Sequence, residues 1–256
     1  MRSVAAVVVA STALLSAAGC GSDDDQTSSK TLTVFAAASL KPTFTALGTR
    51  FEAEHPGVKV KFNFAGSSDL LAQLQQGARA DVFAPADSAT MKKATDSGLA
   101  VGKPIVVASN TLQIAVPPTN PADVNSLADL TGPGVKVVVC APQVPCGAAA
   151  QLVQRAAGVT LKPVSEESSV TGVMGKVVSG EADAGLVYRT DVKAAAGKVK
   201  GIDFAQSSSA VNEYPVAALR TSADADLADS FIGAVAGPQG QRALADAGFR
   251  VAFPAE

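Results

Sequence analysis

The 256-residue chain contains no tryptophan, only two tyrosines, one histidine and three cysteines, and aromatic residues make up just 5% of it. Side chains that enzymes recruit for proton transfer and nucleophilic attack are therefore scarce. The single histidine, His55, stands in "FEAEHPG", a helix-end and turn context that reads as an ordinary solvated position. Charge of one sign is lacking as well. With 21 basic and 23 acidic residues the formal net charge is −2, which gives no broad basic surface for nucleic acid and no acidic bias for cationic partners. Apolar residues are plentiful: 47% of the chain is hydrophobic, enough for a sizeable core in one or two domains.

The first twenty residues differ from the rest. Arg2 supplies a short positive start, Val4 to Ala18 are apolar or small, and "SAAGC" ends the run at Cys20. A run this short with small residues at its end reads as a secretory signal over residues 1–19 and not as a membrane span. Cysteine directly after small residues resembles a bacterial lipoprotein box, "AAGC", with Ala17 where such boxes usually carry Leu. That resemblance implies lipid attachment at Cys20; plain secretion is the alternative. "GSDDDQTSSK" has no apolar residue, so residues 20–30 are expected to be a lipidated cysteine followed by a disordered tether. No other segment is long and apolar enough to span a bilayer. The folded part is expected outside the cell, anchored to the outer face of the cell membrane.

Cysteine arithmetic agrees with export. Setting Cys20 aside leaves Cys140 and Cys146 in "VVVCAPQVPCGAA", and a close pair outside the cytoplasm is expected to be oxidised. The alternatives are two reduced buried cysteines or a metal site, for which partners are missing nearby.

The body of the chain alternates strand and helix signals. "TLTVFAA" (31–37), "VKVKFNFAG" (58–66) and "ADVFAPAD" (80–87) read as strands, with helices over 41–54, 69–77 and 88–98 between and after them. From "PIVVASNTLQIAVPP" (104–118) a second unit begins. It holds a helix near Asn125–Leu130, the strand "VKVVVC" (135–140), helices over 147–158 and 172–180, and the strand "AGLVY" (184–188). "YPVAAL" (214–219) and two closing helices follow. Such alternation predicts an α/β fold with mostly parallel sheets flanked by helices. Pattern alone leaves open which lobe the C-terminal segment rejoins; the expected division is 31–110 plus 211–256 in one lobe and 111–210 in the other.

Four places share one feature, small or hydroxyl residues where a helix begins. They are Ala38-Ser39, Gly66-Ser67-Ser68, Pro145-Cys146 and Ser168-Ser169-Val170-Thr171. A helix start presents unpaired N–H groups and the positive end of a macrodipole, so it can hold an anion. Singly, each serine is a helix cap first. Jointly, the loss of bulk at Ala36-Ala37-Ala38, Gly66 and Gly147 lets a ligand approach the backbone at the strand-to-helix crevices of an α/β sheet.

"TVFAAASL", "FAGSSDLLAQLQQGARADVFAPAD", "VPCGAAAQ", "SSVTGVMGKVVSGEADAGLVY", "EYPVA" and "GPQGQRALADAGF" together resemble the extracytoplasmic molybdate-binding proteins of molybdate ABC importers, in the same order over residues 31–254. The resemblance implies a two-lobed periplasmic-binding-protein fold of type II with the ligand in the interlobe cleft. It also implies binding of molybdate or tungstate as an oxyanion, without protein ligands on the metal, without a cofactor and without catalysis. A membrane permease would be the partner, and the protein itself a monomer. By motif position Ser39 and Ser67 would donate from hydroxyl and backbone, Cys146 and Val170 from their amides, and Tyr188 from its phenol. Cys146 stands where relatives often have Ala, Asp69 where they often have Gly or Thr, and Arg79 where Pro is common. Asp69 is expected to face solvent, since an inward carboxylate would repel an anion, and Lys41 to be a solvated helix residue.

Donor-only surroundings suit a fully deprotonated dianion, whereas hydrogen phosphate also seeks an acceptor. Sulfate or another tetrahedral oxyanion therefore stays open as the ligand. A serine hydrolase using Ser39 or Ser67 would need a base, and His55 is alone with no G-x-S-x-G elbow at either serine. A purely adhesive surface lipoprotein would bind no small ligand.

Overall fold

The structure, a computed structural model, describes residues 30–251. The expected export signal, Cys20 and the expected tether up to residue 29 lie outside the described residues. Lys30 already belongs to the first strand, and its ammonium pairs with Asp224 at 2.7 Å. The chain runs β1 (Lys30–Ala37), α1 (Lys41–Glu54), β2 (Val58–Ala65), α2 (Ser67–Gln75), β3 (Val82–Ala84), α3 (Ser88–Asp96) and β4 (Ala100–Val116). It continues through β5 (Val137–Cys140), α4 (Pro145–Ala157), β6 (Ser165–Glu167), α5 (Val170–Val178), β7 (Ala184–Tyr188), α6 (Arg189–Ala194) and β8 (Lys200–Ile202). It closes with β9 (Val211–Leu219), α7 (Ala225–Ala236), α8 (Pro238–Ala247) and β10 (Arg250–Val251).

The strands lie in the order β2-β1-β3-β9-β4-β7-β5-β6, with β8 and β10 also paired to β4. β1 is parallel to β2 and β3, and β5 is parallel to β6 and β7, which are the strand–helix–strand units legible in the sequence. The sheets are nonetheless mixed, because β4 and β9 run antiparallel to their neighbours. β1 has a neighbour on each side and is buried from Val34 to Ala37, so it reads as an unbroken apolar run; β2, at the edge, alternates.

β4 carries the chain between two lobes. Up to Thr111 it pairs with β9 and β10; from Leu112 onward it pairs with β7 and β8. The buried cores divide at the same point. One runs from Leu112 to Ala210; the other two draw on residues before Ser109 and after Asn212. In the first lobe Phe44 and Phe51 of α1 meet Phe231 of α7 edge-on, at centroid distances of 6.1 and 5.3 Å.

Four of the expected helices are corrected, and three short elements go beyond the sequence reading. The helix near Asn125–Leu130 is a turn network with only a 3₁₀ turn at Asp129–Thr131. Asp129 accepts the N–H groups of Asn125 and Ser126, Asn120 clamps Val124 from both sides, and Pro117, Pro118 and Pro121 interrupt the run. Such side chains offer the backbone an alternative to the helix. The helices read as starting at Asp69, Gly147 and Gly172 each start two residues earlier, at Ser67, Pro145 and Val170. The short α6, β6 and β8 carry too few residues to show a period.

Asp81 ties the first lobe together. Buried just before β3, its carboxylate accepts Thr33 N–H at 2.7 Å, Ser222 Oγ–H at 2.8 Å and Ala223 N–H at 3.0 Å, linking β1 to the β9–α7 turn. Asp81→Ala leaves three donors without their acceptor and is expected to cost roughly 3 kcal/mol. Urea unfolding should show a lower midpoint at unchanged slope.

Candidate anion-binding site

The parallel strands of the first lobe end in alanine. Ala37 of β1 lies in register with Ala65 of β2, and Ala36 with Ala84 of β3. With no side-chain bulk at this edge, the backbone just beyond it is accessible. There, between the lobes, lies a cavity of about 10 Å³. That is about the room of one water-sized group, so only a very small ligand is suited to it. None of its thirteen lining residues carries a formal charge.

Ser39, Ser67, Cys146, Val170 and Tyr188 all line this one cavity. Ser39 sits in a 3₁₀ turn, Ala38–Leu40, that leads into α1. Ser67 and Val170 are the first residues of α2 and α5, and Cys146 is the second of α4. The two-residue shift of these helix starts therefore matters: it places the three residues inside the first turn, where N–H groups have no intrahelical acceptor. The starts of α2, α4 and the 3₁₀ turn also lack a side-chain cap. Only at α5 does a hydroxyl intervene, with Ser169 Oγ accepting Gly172 N–H at 3.3 Å. These starts bring several unpaired N–H groups and three macrodipole ends to one cavity.

The hydroxyls point the same way chemically. Ser67 Oγ accepts Ala86 N–H at 2.9 Å, which leaves its own proton free to donate. Ser39 Oγ lies 3.0 Å from the hydroxyl of Tyr214. The Tyr188 ring is buried and its hydroxyl has no hydrogen-bond partner. A buried polar group without a partner is costly, and in a cavity wall it marks a place for a ligand acceptor. Burial above all, then the neighbouring Tyr214, Asp191 and Asp87, holds the Tyr188 phenol well above its ordinary range; it remains a donor. Tyr214, raised mainly by burial, does too.

Asp69 and Lys41 are exposed, as expected. His55 is not in the cavity wall: it stacks on Phe51 at 4.0 Å, with Nδ1 2.9 Å from the Phe51 carbonyl. No base therefore stands at Ser39 or Ser67 in the histidine's place. Cys140 and Cys146 are joined by a disulfide that links the end of β5 to the first turn of α4, beside the cavity. In the same turn a Cβ on Gly147 would lie 1.9 Å from the Ala141 carbonyl oxygen, so only glycine fits. The residue that sequence reasoning missed is Tyr214. "EYPVA" was legible as a matching block, and Tyr214 is the one tyrosine besides Tyr188, but nothing local placed it against Ser39.

The lobes touch across the cavity's edge. Ser68 Oγ donates to the Gln143 carbonyl at 2.6 Å, and a Cβ on Gly66 would stand 2.0 Å from the Ser168 carbonyl oxygen.

Two α/β lobes joined by crossing strands, with a small uncharged cavity lined with donors between them, form the architecture of a solute-binding protein. The pattern of the family described as "Bacterial extracellular solute-binding protein" matches residues 32–250, and the chain belongs to that family. It is 46% identical over 237 residues, 90% of this chain and 91% of the relative, to the molybdate-binding protein ModA of Mycobacterium tuberculosis. It is 32% identical to the molybdate-binding protein ModA of Escherichia coli, over 86% of this chain and 89% of the relative. The fold matches that of the periplasmic molybdate-binding protein of Azotobacter vinelandii with a TM-score of 0.78 at 23% identity, covering 87% of this chain and all of the other.

Gly66→Val should hold the lobes apart at Ser168. Small-angle scattering in the presence of an oxyanion ligand is expected to give a larger radius of gyration for the variant; equal radii would remove this contact from closure.

A pH effect follows from Asp191, whose carboxylate accepts Tyr188 N–H at 3.0 Å. Burial raises it to about 7, against this hydrogen bond, which lowers it. Unfolded, the same carboxyl titrates near 4. Between these values the native state binds more protons, so this group's contribution to stability is present below about pH 4 and lost as pH rises through about 7. Asp191→Asn should remove that slope, measured as the difference between variant and parent unfolding free energies from pH 4 to 8.

Proposed function

We propose that this chain binds molybdate, and tungstate as its near-isosteric analogue, outside the membrane and delivers it to the permease of an ABC importer. The single observation that carries the reading is the buried, partnerless hydroxyl of Tyr188 in the wall of a cavity without formal charge. Ser39 and Ser67 donate from hydroxyl and backbone, and Cys146 and Val170 from their amides, so donors come from both lobes. The lobes, 31–110 with 211–256 and 111–210, close over the anion. Cys20 holds the protein at the outer face of the membrane through its lipid, and the protein acts as a monomer without a cofactor.

Hydrogen bonds to a charged partner contribute roughly 1.5–3 kcal/mol each, and helix ends about 0.3–1 kcal/mol more. A half-dozen donors can thus offset desolvation and reach the ~12 kcal/mol of a nanomolar complex. Neutral donors meet the dianion without an ion pair, so the site favours an anion that brings acceptors and no proton.

Calorimetry with molybdate, tungstate and sulfate tests this reading. Molybdate and tungstate are expected to bind at least about a hundredfold more tightly than sulfate, a difference of ~2.7 kcal/mol. Sulfate binding as tightly as molybdate would make this a sulfate or general oxyanion binder. Tyr188→Phe keeps the ring and loses the donor, and should weaken molybdate about tenfold or more; an unchanged affinity removes Tyr188 from the site.

A further inference from the structure

We propose that Tyr214 is a positioning residue that holds the Ser39 hydroxyl as a donor toward the cavity, and so sets the site against oxyanions that carry a proton. This rests on the oxyanion reading of the cavity and deepens it.

The two cavity serines are held from behind in parallel ways. At Ser67 the roles are settled, because the Ala86 N–H can only donate: Oγ accepts at 2.9 Å and its proton is left for the cavity. At Ser39 the partner is another hydroxyl, Tyr214 Oη at 3.0 Å, and either oxygen could donate. The surroundings choose. Tyr214 is fully buried on β9, with its ring edge-on to Tyr188 at 6.0 Å and to Phe249 at 5.1 Å, and the side chains of Ser39, Asn110 and Tyr188 stand around its hydroxyl. A phenol is a better donor and a poorer acceptor than an aliphatic alcohol, since its oxygen lone pair is delocalised into the ring. Asn110, beside Tyr214 on β4, donates one Nδ2 proton to Thr190 Oγ1 at 2.8 Å and accepts Thr111 N–H on Oδ1 at 3.0 Å, so toward Tyr214 it has only its second N–H to offer, and no acceptor. Ser39 Oγ is thus the acceptor for the Tyr214 proton, and the Ser39 proton turns to the cavity.

The consequence is one of specificity. Hydrogen phosphate needs one acceptor among the groups around it. Ser39 and Ser67 are two of the four cavity hydroxyls, with Ser169 and Tyr188, that could turn round and accept. The oxygens of Ser39 and Ser67 each keep a second lone pair, but offering it to the anion would turn the serine proton away from the cavity, toward a partner that is already donating. Tyr214 is therefore to Ser39 what the Ala86 amide is to Ser67, with a side chain in place of the backbone.

The experiment is a double-mutant cycle read with two anions. Molybdate and inorganic phosphate are titrated by calorimetry into the parent, Tyr214→Phe, Ser39→Ala and the double variant, with thermal melts alongside. Tyr214→Phe is expected to weaken molybdate by roughly tenfold and to narrow the molybdate-to-phosphate ratio, while in the Ser39→Ala background the same change costs less than about twofold. If phenylalanine is not tolerated, Tyr214→Met, which also fills the space without a hydroxyl, must give the same results. Additive losses, or a ratio that does not narrow, overturn the role of Tyr214 while leaving the oxyanion site standing. A parent protein that binds none of molybdate, tungstate and sulfate overturns the reading of the cavity itself.

Discussion

An unpaired N–H at the start of a helix is a constraint before it is a function. Each such group must find an acceptor, and in this fold several of them face one another across a cleft too narrow to hold much water. Most of the nearby sequence follows from that arrangement. Strands must end in alanine so that the backbone beyond them is exposed, as at Ala37 and Ala65. Gly66 must lack a side chain because the Ser168 carbonyl occupies the space its Cβ would fill, and Gly147 because the Ala141 carbonyl does. Caps that would satisfy the amides from within the chain are missing at the starts of α2 and α4.

The lobes supply the second condition. Two strands pass between them: β4 changes partners between Thr111 and Leu112, and β9 begins just where the second core ends, at Ala210. A connection this limited leaves each core self-contained, so the lobes can act as units. Their contacts across the cleft include the hydrogen bond of Ser68 to the Gln143 carbonyl and the edge-on pair of Tyr188 and Tyr214. Relative motion is the expected behaviour of lobes joined in this way. Stability sits elsewhere, in the phenylalanine cluster under α1 and α7 and in the Asp81 carboxylate between β1 and α7.

Much of the site was legible locally, and the reason is chemical economy. Small residues and hydroxyls at "FAAASL" and "AGSSDL" stand out against a chain otherwise rich in bulk at strand ends, so Ser39 and Ser67 could be singled out. The helix starts at Pro145-Cys146 and Ser168–Thr171 were legible in the same way. The donor roles of Ser39, Ser67, Cys146, Val170 and Tyr188 came by resemblance, since an amide donor leaves no mark on its own side chain and a lone tyrosine none on its neighbours. Helix starts were placed two residues late because the residues in the first turn are polar or small and carry no period. The turn at Asn125–Leu130 was misread for the opposite reason, since Leu127 and Leu130 imitate a helical spacing that Asp129 and Asn120 override by binding the backbone.

The sequence alone determined the alternation of strand and helix, the apolar runs that must be buried, and the small-residue edges where a ligand could reach the backbone. These depend on neighbours within a few positions, over which periodicity and steric bulk act. Tertiary structure alone decided that four helix starts from two lobes share one cavity, that Tyr188 is left without a partner, and that Tyr214, 175 positions from Ser39, stands behind it. A hydrogen bond forms over about three ångströms whatever the separation along the chain. Only the folded arrangement can say which donors are already used and which remain for a ligand.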